Sequence, residues 1–312
     1  MKILVTGASG YIGSQTCKLL KQQGHKVLVC DRRTVTHQYY DGLQNFGSYG
    51  NIDPSFVGTD TDAVVHIAAT SLVGPSVTDP ALYYQNNIAE TLNLLALMKK
   101  CNIKNIVFAS SAACYGEPES GVCTIEDGAT PMNPYGWTKR MMEVILADYA
   151  KAYDINSVSL RFFNVAGADS EGEFGQEKQA THIIARIIES AMAGNKFTLY
   201  GNDYATEDGT CIRDYIHVED VATGIGSALA YTLENKGAHI FNLGIDRGYS
   251  NLEIIQAVER NTPLKVEYDI GPRREGDPAS LIADVTETRY LGWKPTHTLD
   301  SIITTAYNWY TK

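Results

Sequence analysis

Short apolar runs alternate with longer stretches of helical periodicity over the first 170 residues of the chain. The short runs predict strands, because a strand buried on both faces of a parallel sheet is apolar almost throughout. The predicted strands are Lys2–Thr6, Lys26–Asp31, Ala63–Ile67, Asn105–Ser110 and Ser157–Phe162. The helices predicted between them are Ile12–Gln23, Pro80–Cys101 and Pro134–Tyr153. Strands that alternate with helices indicate βαβ units and a parallel sheet covered on both faces.

After about residue 168 the chain has more polar loops, and helices are predicted at His182–Ala193 and Leu252–Asn261. No linker rich in proline and glycine separates the two parts. We therefore expect an α/β protein with a Rossmann-like, doubly wound parallel sheet in residues 1–168. Residues 169–312 should form a smaller C-terminal α+β lobe, with some segments returning to the first domain.

Composition excludes several classes of partner. The net charge of −10 disfavours binding to nucleic acid or to an anionic membrane. No apolar run approaches the roughly 20 residues of a membrane span. The opening apolar run leads into a glycine turn, as a strand does and a signal peptide does not.

Six scattered cysteines predict reduced core thiols and a cytoplasmic protein, with no disulfide framework and no metal site; they stand at 17, 30, 101, 114, 123 and 211.

A glycine-rich turn follows the first predicted strand directly. Gly7, Gly10 and Gly13 are spaced for a tight turn, a close backbone approach to a pyrophosphate and close helix–strand packing. The helix that follows, predicted from Ile12, would aim its free N–H groups at the phosphates. The turn therefore predicts a dinucleotide site.

The second strand ends at Asp31, the usual position of a carboxylate that binds the adenosine ribose. A carboxylate repels the 2′-phosphate of NADP, which favours NAD. Arg32 and Arg33 leave NADP open, because arginines near this position can accept that phosphate.

A candidate redox centre lies at the start of the third predicted helix. Tyr135 and Lys139 are four residues apart and share one helix face. The Lys139 ammonium, together with a positive nicotinamide ring, would lower the pKa of Tyr135 and make it a usable base. Ser111 follows the strand Asn105–Ser110 and would face the same crevice.

These features resemble the extended short-chain dehydrogenase/reductase superfamily, and further matches resemble its UDP-glucose 4-epimerase family over nearly the whole chain. The matching segments are Asp79-Pro80, Asn86-Asn87, Arg161–Gly167, Gly201–Tyr204, Glu207–Val218 and Arg273–Pro278. The resemblance implies that residues 1–168 bind NAD, that residues 169–312 bind a UDP-sugar, and that a 4-keto intermediate links UDP-galactose and UDP-glucose.

Residue by residue, the resemblance implies that Tyr135 takes the proton of the sugar 4-hydroxyl, that Lys139 tunes it, and that Ser111 binds the 4-oxygen. The implied cofactor-binding residues are Gly7, Gly10, Tyr11, Ile12, Gly13, Asp31, Arg32, Asn51, Ile52, Ala68, Ala69, Asn86, Ser111, Tyr135, Lys139 and Phe163. The implied substrate-binding residues are Ser111, Tyr135, Asn164, His182, Tyr200, Arg213, Arg274 and Asp277.

Within the implied substrate site, Arg213 and Arg274 would grip the diphosphate, Tyr200 would face uracil and Asp277 would reach a ribose hydroxyl. The two arginines could instead pair with acidic residues at the surface.

The chain departs from the family pattern in several places. The segment between Asp31 and His66 is short, and Asn51-Ile52 stands where Asp-Ile is usual beside adenine. Ser71 replaces a common lysine, and Ala185 replaces a common proline. Leu281 replaces a tyrosine found in some relatives. With Ser71, Leu281 would leave room for an N-acetyl group, so UDP-N-acetylglucosamine is an alternative substrate.

The motifs also leave open an epimerase of a UDP-uronic acid or UDP-pentose, and a non-catalytic NAD-binding regulator. The intact set of Ser111, Tyr135 and Lys139 argues against the regulator. A nucleotide-sugar 4,6-dehydratase is disfavoured because Ala112 and Ala113 stand where it needs an acid pair. The resemblance implies in addition a homodimer formed by the helices Pro80–Cys101 and Pro134–Tyr153, although the apolar positions 92, 95, 97 and 98 could instead be core.

Overall fold

Strands and helices alternate through most of the chain in a computed structural model, which describes residues 1–178, 181–274 and 277–312. The strands are β1 (Lys2–Thr6), β2 (Lys26–Asp31), β3 (Gly42–Asn45), β4 (Ala63–His66), β5 (Asn105–Ser111), β6 (Val122–Cys123), β7 (Asn156–Phe162), β8 (Asn164–Ala166), β9 (Phe197–Tyr200), β10 (Ile212–His217), β11 (Ala238–Leu243), β12 (Gly248–Ser250), β13 (Tyr268–Gly271) and β14 (Ser280–Ala283). The helices are α1 (Tyr11–Gln22), α2 (Pro54–Val57), α3 (Val73–Thr78), α4 (Pro80–Tyr84), α5 (Glu90–Lys100), α6 (Pro134–Tyr153), α7 (Ile183–Met192), α8 (Val218–Glu234), α9 (Asn251–Asn261) and α10 (Leu299–Tyr310).

A seven-stranded parallel sheet runs in the order β3–β2–β1–β4–β5–β7–β11. The chain leaves β1 toward β2 and β3 on one side, and later builds β4 and the strands beyond it on the other side. This reversal between β1 and β4 opens a crevice at the carboxyl ends of the strands, where open α/β sheets bind ligands. The predicted α/β class with a doubly wound parallel sheet is confirmed.

Alternate residues of the central strands enter two different apolar cores. Ile3 and Val5 of β1 face a core that includes side chains of α1 and α8. Leu4 faces a core that includes side chains of α5 and α6. Successive side chains of a strand point to opposite faces of the sheet. A strand covered on both faces therefore needs apolar residues at each of these positions, as β1 has.

A third core lies in the C-terminal half, where α7, α9 and α10 pack together with β9. The smaller sheets are built by pairing β10 with β8, β12 and β14, β14 with β6, and β9 with β13. The two halves also exchange elements, because β11 extends the large sheet beside β7 and β6 pairs with β14. The domain boundary at residue 168 stays a prediction.

Most elements predicted from periodicity agree with the structure to within one residue at each end. The exception is Pro80–Cys101, which consists of α4, a π-helical turn at Gln85–Ala89, and α5. The π turn supplies Asn87, whose side chain bonds both the N–H and the carbonyl of Thr70 and the hydroxyl of Thr138. Such turns recur at functional sites.

The helices of the described ranges are all too short or too polar to cross a membrane.

Candidate active site

The turn between β1 and α1 has no room for a side chain at Gly7 or Gly13. Gly7 has a φ of 74°, in the left-handed region that favours glycine. A Cβ on Gly13 would overlap the carbonyl oxygen of Gly7. Gly10 is the N-cap of α1 and has no side chain to cap the first N–H groups. These groups are open to a ligand, and with the helix dipole they suit a pyrophosphate.

Asp31 at the end of β2 holds the loop beside this turn. Its two carboxylate oxygens accept hydrogen bonds from the N–H groups of Ser9 and Arg33, both at 2.9 Å. Arg33 also donates to the Ser9 hydroxyl at 3.2 Å, and Arg32 donates to Asn86 at 3.2 Å. Asp31 is therefore fixed where an adenosine ribose would lie. Arg32 is engaged with a neutral amide, whereas Arg33 also forms an exposed ion pair with Glu177 at 2.7 Å.

A single cleft collects most of the predicted cofactor-binding residues. Its described lining includes Gly7, Gly10, Tyr11, Ile12, Gly13, Asp31, Arg32, Ala68, Ala69, Tyr135 and Lys139. Ser71, the position of the missing lysine, also lines it. The glycine turn, the end of β2, the segment after β4 and helix α6 thus meet around one space.

The end of the cleft that was expected to hold adenine differs from the sequence prediction. Asn51 and Ile52 are not among the described residues that line it. Asn51 is exposed, and Ile52 is buried in the core beside Tyr49. Phe46 lines the cleft instead. The reason is the short segment after β2, which forms β3 at the sheet edge and brings the chain to the cleft at Phe46.

The three predicted catalytic residues lie together at the carboxyl end of β5. The side chain of Asn133 caps the start of α6 by accepting a hydrogen bond from Gly136 N–H at 2.9 Å. Lys139 Nζ donates to the carbonyl oxygen of Ala109 at 2.7 Å and lies 5.8 Å from the centre of the Tyr135 ring. The hydroxyl of Ser111 accepts a hydrogen bond from Ala113 N–H at 3.2 Å and acts to lower the pKa of the Tyr135 phenol.

Burial dominates the protonation of this cluster. It raises the pKa of Tyr135 to about 12, against the opposing effect of the Ser111 hydroxyl. It lowers the pKa of Lys139 to about 8, while Cys114 and Glu143 act to raise it. The chain's own groups thus shift the Tyr135 pKa upward, opposite to the expected direction, because a buried phenolate loses its hydration. The expected decrease depends on the positive charge of a nicotinamide ring.

The residues next to the catalytic cluster lie in different surroundings. Phe163 is buried in a small apolar cluster with Tyr115, and Phe162 lines the cleft in its place. Asn164 begins β8 and lines a second pocket. Ala112 and Ala113 form a 3-10 turn after Ser111, so no carboxylate stands at the position that a dehydratase requires.

The second pocket collects the predicted substrate-binding residues of the C-terminal half. Its described lining includes Asn164, His182, Arg186, Tyr200, Arg213, Asn251, Arg274 and Asp277. Arg213 is buried and forms an ion pair with Asp277. The Arg274 guanidinium lies 4.3 Å from the centre of the Tyr200 ring. Two guanidinium groups beside an aromatic ring suit a nucleoside diphosphate. Glu275 and Gly276 of this motif lie outside the described residues.

The cleft and the second pocket meet at His182, which borders both. Burial lowers the pKa of His182, and its Nδ1 atom is hydrogen-bonded to the side-chain amide of Gln176. The ring is therefore neutral near pH 7. Ligands held in the two spaces would face each other beside this imidazole.

Sequence reasoning missed several residues of the site. Ser9 contributes its backbone N–H, which donates a hydrogen bond to Asp31. The sequence gives no signal for a contact made by the backbone. Arg186 lines the pocket on α7, one turn after His182, with its guanidinium 5.9 Å from the centre of the Tyr200 ring. Helical spacing from His182 could have found Arg186. Gln176 could not be found, because it lies in an irregular segment.

The chain is similar to known proteins over nearly its whole length. The sequence profile of the NAD dependent epimerase/dehydratase family matches residues 3–244. The UDP-glucose 4-epimerase from Lactobacillus helveticus is 43% identical over 320 residues, covering 99% of this chain and 97% of the relative. The crystal structure of UDP-glucose 4-epimerase from Stenotrophomonas maltophila with bound NAD and formylated UDP-arabinopyranose has a TM-score of 0.94 and 34% identity, covering 99% and 97% of the two chains. The UDP-Glc/GlcNAc 4-epimerase from Campylobacter jejuni has a TM-score of 0.84 and 33% identity, with 99% of both chains covered.

Proposed function

This chain belongs to the NAD dependent epimerase/dehydratase family, and on that premise we propose that it is an NAD-dependent UDP-glucose 4-epimerase. It interconverts UDP-galactose and UDP-glucose through a 4-keto intermediate. The observation that supports this most directly is the junction at His182, where a cleft suited to a dinucleotide meets a pocket suited to a nucleoside diphosphate. Tyr135 lies on the cleft side, where the sugar and the nicotinamide would meet.

The chain's own residues fit NAD. The side-chain-free glycine turn and the open N-terminus of α1 suit the pyrophosphate. Asp31 uses one lone pair of each carboxylate oxygen on a backbone N–H, which leaves further lone pairs for the ribose hydroxyls. Its charge disfavours the 2′-phosphate of NADP. When bound, NAD supplies the hydride acceptor and the hydride donor for C4 of the sugar.

Tyr135 is the base of the proposed reaction. It takes the proton of the sugar 4-hydroxyl during oxidation and returns it during reduction. Ser111, at the carboxyl end of β5, binds the sugar 4-oxygen. The Lys139 ammonium holds the nicotinamide ribose and favours the phenolate electrostatically.

The second pocket anchors UDP while the sugar turns. Arg213 and Arg274 hold the diphosphate, Tyr200 packs against uracil, and Asp277 binds a ribose hydroxyl. Arg213 is paired with Asp277 and Arg274 rests on Tyr200 before the nucleotide enters. Binding must therefore exchange these contacts for contacts with the nucleotide. A sugar held only through UDP can present either face of C4 to the cofactor.

The direct test is incubation of the purified protein with UDP-galactose without added NAD, followed by separation of the two UDP-hexoses. We expect UDP-glucose to form, and NAD to be released when the protein is denatured. If no product forms even after NAD is added, the proposed function is wrong. NAD retention without turnover would instead favour the non-catalytic regulator.

A second candidate activity is epimerisation of UDP-N-acetylglucosamine. Leu281 is half-buried and packs against the apolar cluster that contains Phe163. A leucine in this place is shorter than a tyrosine, and Ser71 lines the cleft where a lysine would take more room. The Campylobacter jejuni enzyme, at 33% identity, is named for both UDP-Glc and GlcNAc. Leu281→Tyr should reduce turnover of the N-acetylated sugar selectively; no parental turnover of that sugar would exclude this activity.

We also propose a cytoplasmic homodimer. All six cysteines are buried and unpaired, which suits a reducing compartment. Helix α6 exposes Trp137, Met141 and Val144 on one face, and α5 exposes Leu92, whereas Leu95 is buried in the core. The exposed apolar face of α6 suits burial against a second copy.

A further inference from the structure

A buried ion pair lies behind the catalytic residues and takes no part in the steps above. Glu143 is on α6, one turn after Lys139 and two turns after Tyr135. Arg161 on β7 bonds both carboxylate oxygens of Glu143, with Nε to Oε1 at 2.9 Å and Nη2 to Oε2 at 2.7 Å. The two side chains are 2% and 0% exposed. A bidentate pair of this kind fixes relative orientation as well as distance.

The pair joins three elements of the active site. Ser110, next to Ser111 on β5, donates its hydroxyl to Glu143 Oε1 at 2.7 Å. On the other side, the Arg161 guanidinium lies 4.5 Å from the centre of the Tyr115 ring. Helix α6 is thereby tied to β5 and β7 at the level of the catalytic cluster.

We propose that Glu143 and Arg161 are positioning residues for the reaction: they hold α6 in register against β5 and β7, and their balanced charges set the electrostatic environment of the Lys139 ammonium. The role in turnover rests on the proposed function, whereas the effect on Lys139 does not.

Few charges face Lys139 from the elements around it. His66 on β4 is neutral, because burial lowers its pKa to about 3. Cys114 after β5 is neutral, because burial raises its pKa to about 12. Tyr135 on α6 is neutral for the same reason. Among the described groups that face Lys139, Glu143 is thus the charged one. Arg161 compensates its charge, and the partly exposed Arg140 forms a second, longer ion pair with Glu143 Oε2 at 3.2 Å.

Removing one partner should leave a buried charge whose sign decides the effect. Glu143→Gln leaves the Arg161 cation and should lower the pKa of Lys139. Arg161→Met leaves the Glu143 carboxylate with the partly exposed Arg140 as its remaining cation, and should raise the pKa of Lys139. The double variant E143Q/R161M carries neither charge and should return the pKa toward the parental value. Arg161→Lys keeps the charge without the planar fork, and should leave the pKa near parental while lowering kcat.

The experiment measures, for each variant, the NAD retained after gel filtration and kcat across a pH series from about 6.5 to 9.5. Protonated Lys139 favours both quantities, so each should fall at high pH. We expect the midpoints to move by about one pH unit, downward for E143Q and upward for R161M. Arg260→Met, which breaks an exposed pair with Asp300, is the control and should not move them.

The outcomes separate the two proposals. If the parent retains NAD but does not epimerise, the proposed function fails and the NAD midpoints still test the pair. If the parent epimerises and the midpoints of E143Q and R161M coincide with the parental midpoint, the positioning proposal fails. If both single variants misfold, the double variant and R161K test the positioning proposal. A double-variant midpoint far from parental, or one displaced in R161K, would contradict the proposal.

Discussion

Lys139 and Tyr135 are both buried on one face of α6, with the ammonium 5.8 Å from the centre of the phenol ring. An ammonium this close to the ring stabilises a phenolate electrostatically. The ammonium is itself tethered to the Ala109 carbonyl, so its position does not depend on Tyr135. The two residues should therefore have separable roles.

Tyr135→Phe should abolish most turnover without loss of the cofactor. The substitution removes the proton-transferring hydroxyl and keeps the ring, which packs edge-on against Tyr83 with centroids 6.4 Å apart. We expect kcat to fall by about 10²- to 10⁴-fold. The NAD content of the purified variant should equal the parental content. A near-parental rate would show that another group is the base.

Gly13→Ala should expel the cofactor, because the added Cβ overlaps the Gly7 carbonyl in the phosphate turn. We expect little or no NAD in the purified variant and a loss of about 1–3 kcal/mol in the free energy of unfolding. Gly226→Ala is the matched control on α8, where the nearest atoms to a new Cβ lie at an ordinary 3.7 Å. It should keep NAD and gain up to about 1 kcal/mol. Full NAD retention by the Gly13 variant would contradict the assigned phosphate site.

Five strands of the large sheet, β1, β2, β4, β5 and β7, could be predicted from sequence because each is a short run that contains buried apolar residues and lies between turn signals. Elements stabilised by particular tertiary contacts could not. Helix α8 contains Gly224 and Gly226, which lower helix propensity. Gly224 is needed because a Cβ there would lie 2.8 Å from the Leu243 side chain of β11. Strand β11 departs from the apolar pattern because it carries Asn242, whose buried amide bonds the carbonyls of Cys123 and Asp284.

The residues of the candidate site also fall into two groups, those that local sequence predicts and those that depend on tertiary contacts. Tyr135, Lys139 and Ser111 follow from helical spacing and from the end of a strand, so local sequence suffices. Phe46 reaches the cleft only because the four-residue strand β3, half of it polar, pairs with β2. Neither its length nor its composition predicts that pairing.

Arg213→Met should weaken nucleotide binding and leave the cofactor in place. The guanidinium is buried in the second pocket, and charge-assisted hydrogen bonds contribute about 1.5–3 kcal/mol each. The dissociation constant for UDP, measured by calorimetry, should rise by roughly 10- to 100-fold. Lys196→Met, which breaks an exposed pair with Asp269 in the same half of the chain, should leave it unchanged. Equal UDP affinities of parent and Arg213 variant would remove Arg213 from the site.

His297 should make stability depend on pH in the neutral to alkaline range. Its nitrogens lie 2.9 Å from Asp220 and 3.0 Å from Glu219, and these carboxylates raise its pKa from 6.5 to about 9. Because the folded pKa lies above the unfolded one, the contribution is complete below about pH 6.5 and is lost as pH rises through about 9.

His297→Asn should therefore cost about 2 kcal/mol near pH 6, an amount reduced for partial solvent screening. The difference from the parent should narrow near pH 9.5, as urea unfolding at both pH values would show. His239→Asn, at an exposed site bonded to the Lys236 carbonyl, is the control. A difference that is the same at both pH values would mean that the His297 charge contributes nothing.

Val144→Glu should convert the proposed homodimer into a monomer. Val144 is 47% exposed and continues the face of Trp137 and Met141 on α6, which are 41% and 38% exposed. In a dimer this face would be buried, and a carboxylate placed in it without a partner costs several kcal/mol. In a monomer the same carboxylate would be solvated and nearly neutral for stability.

Light scattering at matched concentrations should therefore give half the parental mass for the Val144 variant, with unchanged NAD content. Leu233→Glu is the matched control, because Leu233 is an apolar residue of α8 that is 48% exposed and lies outside the proposed face. It should keep the parental mass. If Leu233→Glu dissociates the dimer and Val144→Glu does not, the interface involves the α8 surface and not α6.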